Sequence, residues 1–416
     1  MGHPQSLLFL LLFLLTGHSL QEQQQQISSV DLAALLAIKT SLRDLSGSHY
    51  FSTWNFTSPS NPCSTFAGII CSPLLLLRVT SLTLGTGLSD SPGLAGSLSP
   101  SISNLSQLTQ LVLFPGTVTG PIPPQLGLLK NLRVISLTKN RFSGPIPSTL
   151  TTLPNLHTLD LSYNQLTGSI PPGLTELPHL RVLILASNRL SGELPDVRSQ
   201  QLLHLDLKKN SFSGELPLLP LSLRYFSVSE NQMWGPLNAI ESLSDLVYLD
   251  LSTNRFNGTI PESLFRHRLP VVLLQRNSLY GGIPTRSVAV DDDGKSYGEG
   301  SIVDLSHNFL TGELTPLLAG VESVFLNNNR LIGKVPEEYV RSLLQNTTKT
   351  LYLQHNYLSG IPIESGSKLP KWVSLCLSYN CMVAPVGVRE CPDSAGGQLS
   401  RPLYQCSVFQ NGTTML

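Results

Sequence analysis

The chain of 416 residues has little charge. Charged residues make up 13% of it, and 27 Lys and Arg balance 27 Asp and Glu. Nucleic-acid binding needs a concentrated basic face, and the sequence has no run of Lys and Arg, so we exclude nucleic acid as a partner. The hydrophobic fraction is 41%, mostly leucine, which is enough for a continuous core. The composition therefore predicts a folded chain rather than a disordered one.

The sequence also lacks the motifs of catalysis and metal binding. Its nine histidines form no His-Glu-x-x-His pair, and no Gly-x-Ser-x-Gly elbow occurs. Gly294-Lys295-Ser296 resembles the end of a phosphate loop, but Ala289 stands where that loop requires glycine. Asp291-Asp292-Asp293-Gly294 lacks the alternating ligands of a calcium loop. We therefore predict no enzyme, catalytic residue, metal or cofactor, and a solvated insertion loop at Thr285 to Gly300.

A hydrophobic run long enough to span a membrane is missing. The run of Leu and Phe from Leu7 to Leu15 falls well short of the ~20 residues that a spanning helix needs. Small residues, Gly17 and Ser19, follow it. We predict a signal peptide at residues 1–19, with an uncleaved anchor as the alternative. The polar tail from Cys391 to Leu416 has no lipid-anchor signal. The predicted mature chain is secreted and has no membrane span.

Cysteine is scarce and confined to the two ends, with Cys63 and Cys71 in one group and Cys376, Cys381, Cys391 and Cys406 in the other. The cysteines include no CxxC pair of the kind that binds zinc. Paired end groups predict disulfide-bonded caps formed in an oxidising compartment. We expect Cys63–Cys71, and among the three possible C-terminal pairings we favour Cys381–Cys391 with Cys376–Cys406. Secretion is also supported by glycosylation sequons at Asn55, Asn104, Asn257, Asn346 and Asn411.

An internal repeat dominates the rest of the chain. Its frame is leucine, two residues, leucine, one residue, leucine, two residues, asparagine. Leu156-Leu159-Leu161-Asn164 follows this frame, and so does Leu180-Leu183-Leu185-Asn188. Gly116 takes the asparagine place in one degenerate unit, and an opening unit begins near Val79. The asparagine recurs at positions 140, 164, 188, 210, 231, 254, 277, 308, 329, 356 and 380. We count about thirteen units, which predicts a stacked repeat architecture.

Each fixed letter of the repeat has a physical reason. The alternating leucines predict a short strand that points them inward, and stacking the strands makes a parallel sheet over a shared core. The asparagine ends the strand and turns its amide inward to satisfy backbone groups of the turn. Gly-x-Ile-Pro follows, as at Gly144 to Pro147. Its glycine permits the bend, and its proline holds the backbone extended where the chain turns back toward the next strand. The prediction is an α/β solenoid with a concave parallel sheet.

The first residues of the predicted mature chain read as a cap for the open core of the first repeat. Ser28 and Asp31 form a capping-box pattern that opens an amphipathic helix through Leu35 and Leu42. Trp54 and the first cysteine pair follow. We assign residues 20–78 to the N-terminal cap, 79–371 to the repeat array, and 372–416 to the last repeat and the C-terminal cysteine-containing cap.

The Gly-x-Ile-Pro repeat resembles the plant-specific class of extracellular leucine-rich repeats. Asp31 to Lys39, Asn61-Pro62-Cys63 and Gly68 to Cys71 are similar to the N-terminal cap of that class, with Phe66 where the family usually has tryptophan. Two further segments, 351–356 and 374–381, resemble a kinase-less plant subgroup without a membrane helix. The resemblance implies a leucine-rich-repeat superhelix that binds peptides, wall glycans, microbial proteins or receptor partners at the cell surface.

Two departures narrow what the resemblance implies. Peptide receptors of this class often carry Arg-x-Arg on a concave strand, whereas Arg266-His267-Arg268 precedes its strand here. Secreted polygalacturonase inhibitors share the soluble form, but their C-terminal cysteine pattern differs from Cys381-Met382-Val383.

The outward residues of the concave sheet are the candidate site. Aspartates in the Leu-Asp-Leu units, Asp160, Asp206, Asp250 and Asp304, share one column, and we assign them a structural or solvated role. Outward apolar residues predict a binding surface. It comprises Tyr225, Tyr248, Val271, Leu273, Phe325 and Tyr352, flanked by Lys208, Lys209 and Arg276. The alternative is that glycans or the insertion loop cover this surface.

These features predict a receptor-like component of plant cell-surface signalling or defence. Its expected partner is an extracellular protein, a peptide or a wall glycan, with a receptor-kinase ectodomain among the candidates. The alternative function is a secreted inhibitor of a cell-wall hydrolase, or a wall-structural protein. The expected location is the apoplast and cell wall, or the outer face of the plasma membrane.

Overall fold

The structure is a computed structural model. It describes residues 26–58, 61–73, 76–87, 92–265, 269–285, 297–364, 368–382, 391 and 400–410. Four sequence predictions lie outside these residues: the signal peptide, the Arg266-His267-Arg268 triplet, the Asp291 to Gly294 loop and the sequon at Asn411.

One long sheet of fourteen strands runs through the molecule, and we call it the long sheet. Ile69–Cys71 joins it antiparallel from the N-terminal cap, and the other thirteen strands are parallel, one for each predicted repeat. The parallel strands are Val79–Leu84, Gln110–Leu113, Val134–Ser136, Thr158–Asp160, Val182–Ile184, His204–Asp206, Tyr225–Ser227, Tyr248–Asp250, Val271–Leu273, Ile302–Asp304, Ser323–Phe325, Thr350–Tyr352 and Ser374–Cys376. The predicted solenoid is confirmed.

A second set of short strands follows the turns of the repeats, and we call it the return sheets. Seven strands form one sheet and five form the other. The first contains Leu42–Asp44, Leu94–Ser97, Thr117–Gly120, Arg141–Pro145, Gln165–Gly168, Arg189–Glu193 and Ser211–Ser213. The second contains Trp234–Gly235, Arg255–Gly258, Ser278–Gly281, Phe309–Glu313 and Arg330–Ile332. A separate pair, Gln26–Ile27 and Leu76–Leu77, closes the N-terminal end.

Helices are short because the repeat leaves few residues between its strands. Four α-helices are described: Ser29–Ser41, Pro62–Thr65, Glu337–Leu344 and Leu403–Gln410. The 3₁₀ turns are Tyr50–Thr53, Pro100–Asn104, Pro124–Leu128, Ser148–Thr152, Pro172–Leu174, Asn238–Ile240, Glu262–Phe265 and Pro316–Leu318. The proline of the repeat stands directly before several of these turns, at Pro123, Pro147 and Pro171, and its fixed φ suits the extended residue that precedes the turn.

The core is continuous along the array. Leu156, Leu159 and Leu161 are completely buried, as are their counterparts in neighbouring repeats. They belong to one cluster that reaches from Ile27 in the cap to Leu377 in the last repeat. Each such leucine contributes about 1.5–3 kcal/mol of burial free energy, and only stacking supplies the partner surface.

The asparagines form the predicted ladder. In Asn164, Oδ1 accepts from the backbone N–H of Phe142 at 3.0 Å. Its Nδ2 donates to the carbonyls of Leu137 at 3.0 Å and Leu161 at 3.1 Å. The same bonds recur at Asn188 and Asn308. Each amide thus joins two consecutive repeats, and the structural interpretation of the asparagine is confirmed.

The residue before each asparagine has a left-handed backbone, which the sequence pattern does not reveal. Tyr163, Thr253 and Arg276 have φ values of 54°, 54° and 58°. The same conformation occurs at Lys139, Ser187, Lys209, Glu230, His307, Asn328, His355 and Tyr379. A non-glycine residue costs roughly 1–2 kcal/mol there. The turn thus has this cost in each of the eleven repeats that carry the asparagine.

The N-terminal helix, Ser29–Ser41, corrects one expectation. Ser28 makes no capping hydrogen bond with its side chain, and Asp31 does not reach back to it. Instead Asp31 is completely buried, where it accepts from the Arg78 guanidinium, 2.9 Å away, and from the backbone N–H of Val79 at 2.8 Å. The capping-box prediction is wrong because a buried carboxylate gains more from a cationic partner than from one backbone donor. Asp31 therefore ties the helix to the first repeat.

An aromatic cluster and a disulfide hold the rest of this cap. Phe66 stacks on Trp54 at 5.4 Å, and Cys63 pairs with Cys71 as predicted. Gly68 has φ +75°, and a Cβ there would lie 1.9 Å from the carbonyl oxygen of Thr83. Only glycine allows this close approach of the cap to the first strand.

The C-terminal disulfide prediction is wrong. Cys376 pairs with Cys391, and Cys381 pairs with Cys406. Cys376 ends the last strand at the outward position after the inward Leu375, where it is completely buried, and its Cα lies 4.7 Å from that of Cys391. Cys381 follows the last asparagine and meets Cys406 in the helix Leu403–Gln410. The two disulfides fasten the tail to both the strand and the turn of the last repeat.

Candidate recognition surface

The predicted site residues lie along the long sheet, on two columns of outward positions. Tyr225, Tyr248 and Val271 occupy the position before the inward residue of their strands. Leu273, Phe325 and Tyr352 occupy the position after it. All six side chains are half-buried. The alternation of a β-strand explains this exposure, since neighbouring positions point to opposite faces.

The first column contains a stack of three rings, which we call the tyrosine stack: His204, Tyr225 and Tyr248. His204 and Tyr225 are 4.0 Å apart with planes 5° from parallel, and Tyr225 and Tyr248 are 4.3 Å apart at 4°. The three residues pair in register on consecutive parallel strands. Strand spacing of about 4.8 Å is close to the stacking distance of rings, so the sheet itself arranges the stack.

The tyrosine stack is uncharged at neutral pH. Burial lowers the pKa of His204, so the imidazole stays neutral. Burial, and then the nearby Asp206, raises the pKa of Tyr225. Burial, and then Asp250, raises the pKa of Tyr248. The ring edges and hydroxyls that remain accessible can contact apolar groups and exchange hydrogen bonds, which suits a mixed polar and apolar partner.

The same column remains apolar beyond the stack. Val271 pairs with Tyr248, and Ile302 pairs with Val271. Both are half-buried. The result is an uninterrupted row of five outward side chains from His204 to Ile302. Sequence reasoning identified three of the five and missed His204 and Ile302, because neither residue type looks unusual in a single repeat.

The second column has a separate aromatic pair. Phe325 and Tyr352 meet edge to face at 5.3 Å, and the Ser374 hydroxyl lies 3.3 Å from the Tyr352 hydroxyl. Leu273 shares the column, but Asp304 stands between it and Phe325. The predicted surface is therefore two clusters, the row from His204 to Ile302 and the pair Phe325 and Tyr352.

The flanking charges are largely neutralised locally. Lys208 pairs with Asp206 at 3.3 Å, and Lys209 pairs with Glu230 at 3.4 Å. Arg276 is exposed, in the left-handed position before its asparagine. The exposed pair Lys209–Glu230 contributes ~0–1 kcal/mol to stability, whereas Asp206 of the other pair is buried. Both pairs border the row with polar groups.

The column of aspartates has local structural partners. Asp160 accepts from the backbone N–H of Ser162 at 3.0 Å and from its hydroxyl at 2.6 Å. Asp250 makes the same two bonds with Ser252. Burial raises the pKa of Asp304, which accepts from the N–H of Ser306. These carboxylates stabilise the strand ends.

The four described sequons are Asn55, Asn104, Asn257 and Asn346, and all are exposed. None lies within a strand of the long sheet. Asn257 lies in the return strand Arg255–Gly258. Glycosylation of these residues remains a prediction.

Over the described residues, no group of three or more His, Cys, Asp and Glu is arranged to hold a metal ion. In the same part of the chain, no helix has the length and apolar character needed to cross a membrane.

Family models match three segments of the chain. The leucine rich repeat N-terminal domain matches residues 28–72. Leucine rich repeat models match residues 130–190 and residues 245–266. The N-terminal match covers the cap described above, and the other two lie in the repeat array.

A curated relative is Receptor-like protein 15 of Arabidopsis thaliana, 31% identical over 174 residues. That match covers 36% of this chain and 18% of the relative, so the chain spans less than a fifth of the relative's length. The plant relatives of this kind are receptor-like proteins, which lack a kinase domain.

Two solved structures share the fold. The ectodomain of the Arabidopsis thaliana receptor kinase GASSHO1/SCHENGEN3, in complex with CASPARIAN STRIP INTEGRITY FACTOR 2, gives a TM-score of 0.68 at 29% identity. The match covers 84% of this chain and 44% of that one. A plant ice-binding protein gives a TM-score of 0.56 at 26% identity, covering 82% of this chain and 98% of that one.

Proposed function

We propose that this chain, a leucine-rich-repeat protein related to the plant receptor-like proteins, is an extracellular recognition module that binds a protein or peptide partner on its long sheet. The relatives are non-enzymatic binding proteins, and we extend that property to this chain. A secreted protein of the apoplast or of the outer plasma-membrane face fits this role. The similar receptor-kinase ectodomain was solved in complex with CASPARIAN STRIP INTEGRITY FACTOR 2, which supports a protein or peptide as the partner.

One observation carries the proposal: the row of five outward side chains from His204 to Ile302. The row is half-buried, uncharged and bordered by the pairs Lys208–Asp206 and Lys209–Glu230. An apolar centre with a polar border is the usual composition of a protein-binding hot spot.

Covering this row with a partner is favourable because it removes apolar surface from water. A partner that removes the ring edges from water gains roughly 25 cal/mol for each Å² of apolar surface. The tyrosine stack is already ordered by the sheet, so binding costs little side-chain entropy there. The pair Phe325 and Tyr352 extends the contact to later repeats.

The test is the affinity of secreted variants for a partner captured from plant apoplast. We expect Tyr248→Ala and Phe325→Ala each to weaken binding by ~1 kcal/mol or more, about fivefold, because a partner buries both rings. Val134→Ala and Ser136→Ala, on an earlier strand of the same sheet, are the matched controls and should have little effect. Circular dichroism checks folding. Full binding by a folded Tyr248→Ala/Phe325→Ala protein would contradict the proposal.

The identity of the captured partner separates the alternatives. A receptor-kinase ectodomain would support a role in signalling or defence. A microbial hydrolase would support the alternative of an enzyme inhibitor, and capture of pectin or another wall glycan with no protein partner would support a wall-structural role.

A hydroxyl ladder supports ice binding as a second candidate. Five consecutive strands of the seven-stranded return sheet carry Ser or Thr directly before the repeat's glycine. They are Thr119, Ser143, Thr167, Ser191 and Ser213. Hydroxyls repeated at strand spacing can order water, and the ice-binding relative matches this chain over nearly its own full length. Inhibition of ice recrystallisation by the purified protein, lost in Thr167→Lys, is the expected result; no inhibition would exclude this candidate.

A further inference from the structure

Basic residues form a second outward feature of the long sheet, one position before the first column described above. We call it the basic column: Arg133, His157, Arg181 and Arg224. Backbone bonds connect the positions, since His157 N–H donates to Arg133 C=O at 2.8 Å and Arg181 N–H to His157 C=O at 2.9 Å. Leu203 continues the line, and Arg224 N–H donates to its carbonyl at 2.9 Å. Five consecutive repeats thus carry Arg, His, Arg, Leu and Arg.

The three arginines of the basic column are exposed and lack acidic partners. Among the described residues no ion pair or side-chain hydrogen bond involves Arg133, Arg181 or Arg224. This is notable in a chain of zero net charge. Three unpaired guanidinium groups on one edge of a sheet therefore make a localised positive potential.

The surroundings of His157 show the same concentration of positive charge. Its ring lies 6.0 Å from that of His179. Partial burial, and then Arg181, Arg133 and His179, lower the pKa of His157. No carboxylate raises the pKa of His157. His157 is therefore neutral at pH 7, and the column alternates charged arginines with the uncharged side chains of His157 and Leu203.

The opposite side of the repeats offers a contrast. The return strands also carry exposed arginines, Arg141, Arg189 and Arg255. There, however, Glu193 and Glu215 are exposed on neighbouring positions of consecutive repeats. The return face thus carries charges of both signs, whereas the basic column carries only positive charge.

We propose that the basic column binds a linear acidic oligosaccharide, with carboxylates of alternate sugars on Arg133, Arg181 and Arg224. The surface lies beside the row that the proposed function uses, but neither proposal depends on the other. Each guanidinium can hold a carboxylate through two parallel hydrogen bonds. The uncharged faces of His157 and Leu203 lie where the intervening sugar rings would pass.

Spacing favours a sugar chain over an extended peptide. The arginines recur at every second strand, about 9–10 Å apart along the array. In an extended 1,4-linked chain of uronic acids, carboxylates return to the same side at every second sugar, which is close to two strand spacings. Side chains on one face of an extended peptide recur at about 6.6 Å, which does not match.

The test uses the whole secreted protein and an unesterified oligogalacturonide as the probe. Isothermal titration should detect binding that weakens as salt rises, because exposed charges are screened beyond ~10 Å at 0.1 M salt. The fully methyl-esterified oligosaccharide should not bind. The Arg133→Gln/Arg181→Gln/Arg224→Gln protein should bind the unesterified probe about tenfold more weakly or worse.

The matched control is Arg141→Gln/Arg189→Gln/Arg255→Gln, which removes the same charge from the return face and should bind as the parent does. Circular dichroism and thermal melting establish that both variants fold. Three outcomes would overturn the proposal: no binding by the parent, equal losses in the two variants, or equally tight binding of polyglutamate, which would indicate an acidic peptide. Loss of oligosaccharide binding with unchanged capture of the protein partner would separate this surface from the tyrosine stack.

Discussion

The interior of the repeat array and the outward face of the long sheet obey different rules. Inside, the repeats present leucine or another apolar residue at the same positions, and eleven of the thirteen carry the asparagine that bonds to the neighbouring repeat. Outside, the positions between the leucines carry rings in one region and arginines in another. The comparison shows that stability depends on what the repeats share, whereas recognition depends on how they differ.

Two adjacent residues provide the strongest test of this comparison. Phe226 is completely buried, and Tyr225 beside it in the same strand points outward. Phe226→Ala should cost about 3–5 kcal/mol of unfolding free energy because it leaves a cavity in the core. Tyr225→Ala should cost about 1 kcal/mol, since it removes ring stacking and a hydroxyl contact with Tyr248 and leaves no cavity in the core. Urea denaturation of both proteins measures the difference, and equal losses would remove the distinction between the faces.

The asparagine ladder should behave the same way throughout the array. Asn164→Ala and Asn308→Ala should each destabilise the protein by ~1–3 kcal/mol, because each leaves buried backbone groups without partners. Asn55→Gln is the control, since it removes a sequon on the exposed cap. Thermal melting checks all three. A shift for Asn55→Gln as large as that for Asn164→Ala would show that the ladder has no special role.

The smallest expected effect concerns the left-handed turn residues. Thr253 has φ 54° and is exposed, and a β-branched side chain is strained in that conformation. Thr253→Gly should stabilise the protein by up to about 1 kcal/mol, the relief of strain less the added freedom of the unfolded chain. Thr253→Ala keeps a Cβ and should gain far less. The measurement is the midpoint of urea unfolding; a less stable Thr253→Gly protein would mean that the turn imposes no strain.

Much of the fold could be predicted from the sequence because its interactions are local or periodic. The spacing of Leu156, Leu159 and Leu161 predicts a strand with one buried face, and the recurrence of Asn164 and its counterparts predicts the ladder. The outward direction of Tyr225 and Tyr248 follows from the same alternation. These inferences needed no knowledge of contacts between distant residues.

The failures involve choices among partners that are distant in sequence. The sequence suggested a capping box of Asp31 with Ser28, whereas the folded chain brings Arg78, 47 residues away, to the Asp31 carboxylate. Four C-terminal cysteines allowed three pairings, and the path of the tail, which brings Cys391 to Cys376 and Cys406 to Cys381, decided between them. No periodic signal distinguishes these outcomes, since each depends on where the chain returns after the last strand.

The candidate surfaces, too, could be predicted from the sequence only in part. Sequence alone identified outward rings in single repeats, but it did not reveal that His204 stacks on Tyr225 or that Arg133, Arg181 and Arg224 share an edge. Those residues are 20 or more positions apart, and only the register of the parallel strands makes them neighbours.

The sequence by itself determined the repeat, its inward leucines and asparagines, and therefore the solenoid, because a period of fixed length can bury its apolar face only by stacking. The tertiary structure alone decided the C-terminal disulfides, the role of Asp31, the tyrosine stack and the basic column. The physical reason is that strand register places outward side chains of successive repeats about 4.8 Å apart, and it is this spacing that turns separate residues into a surface.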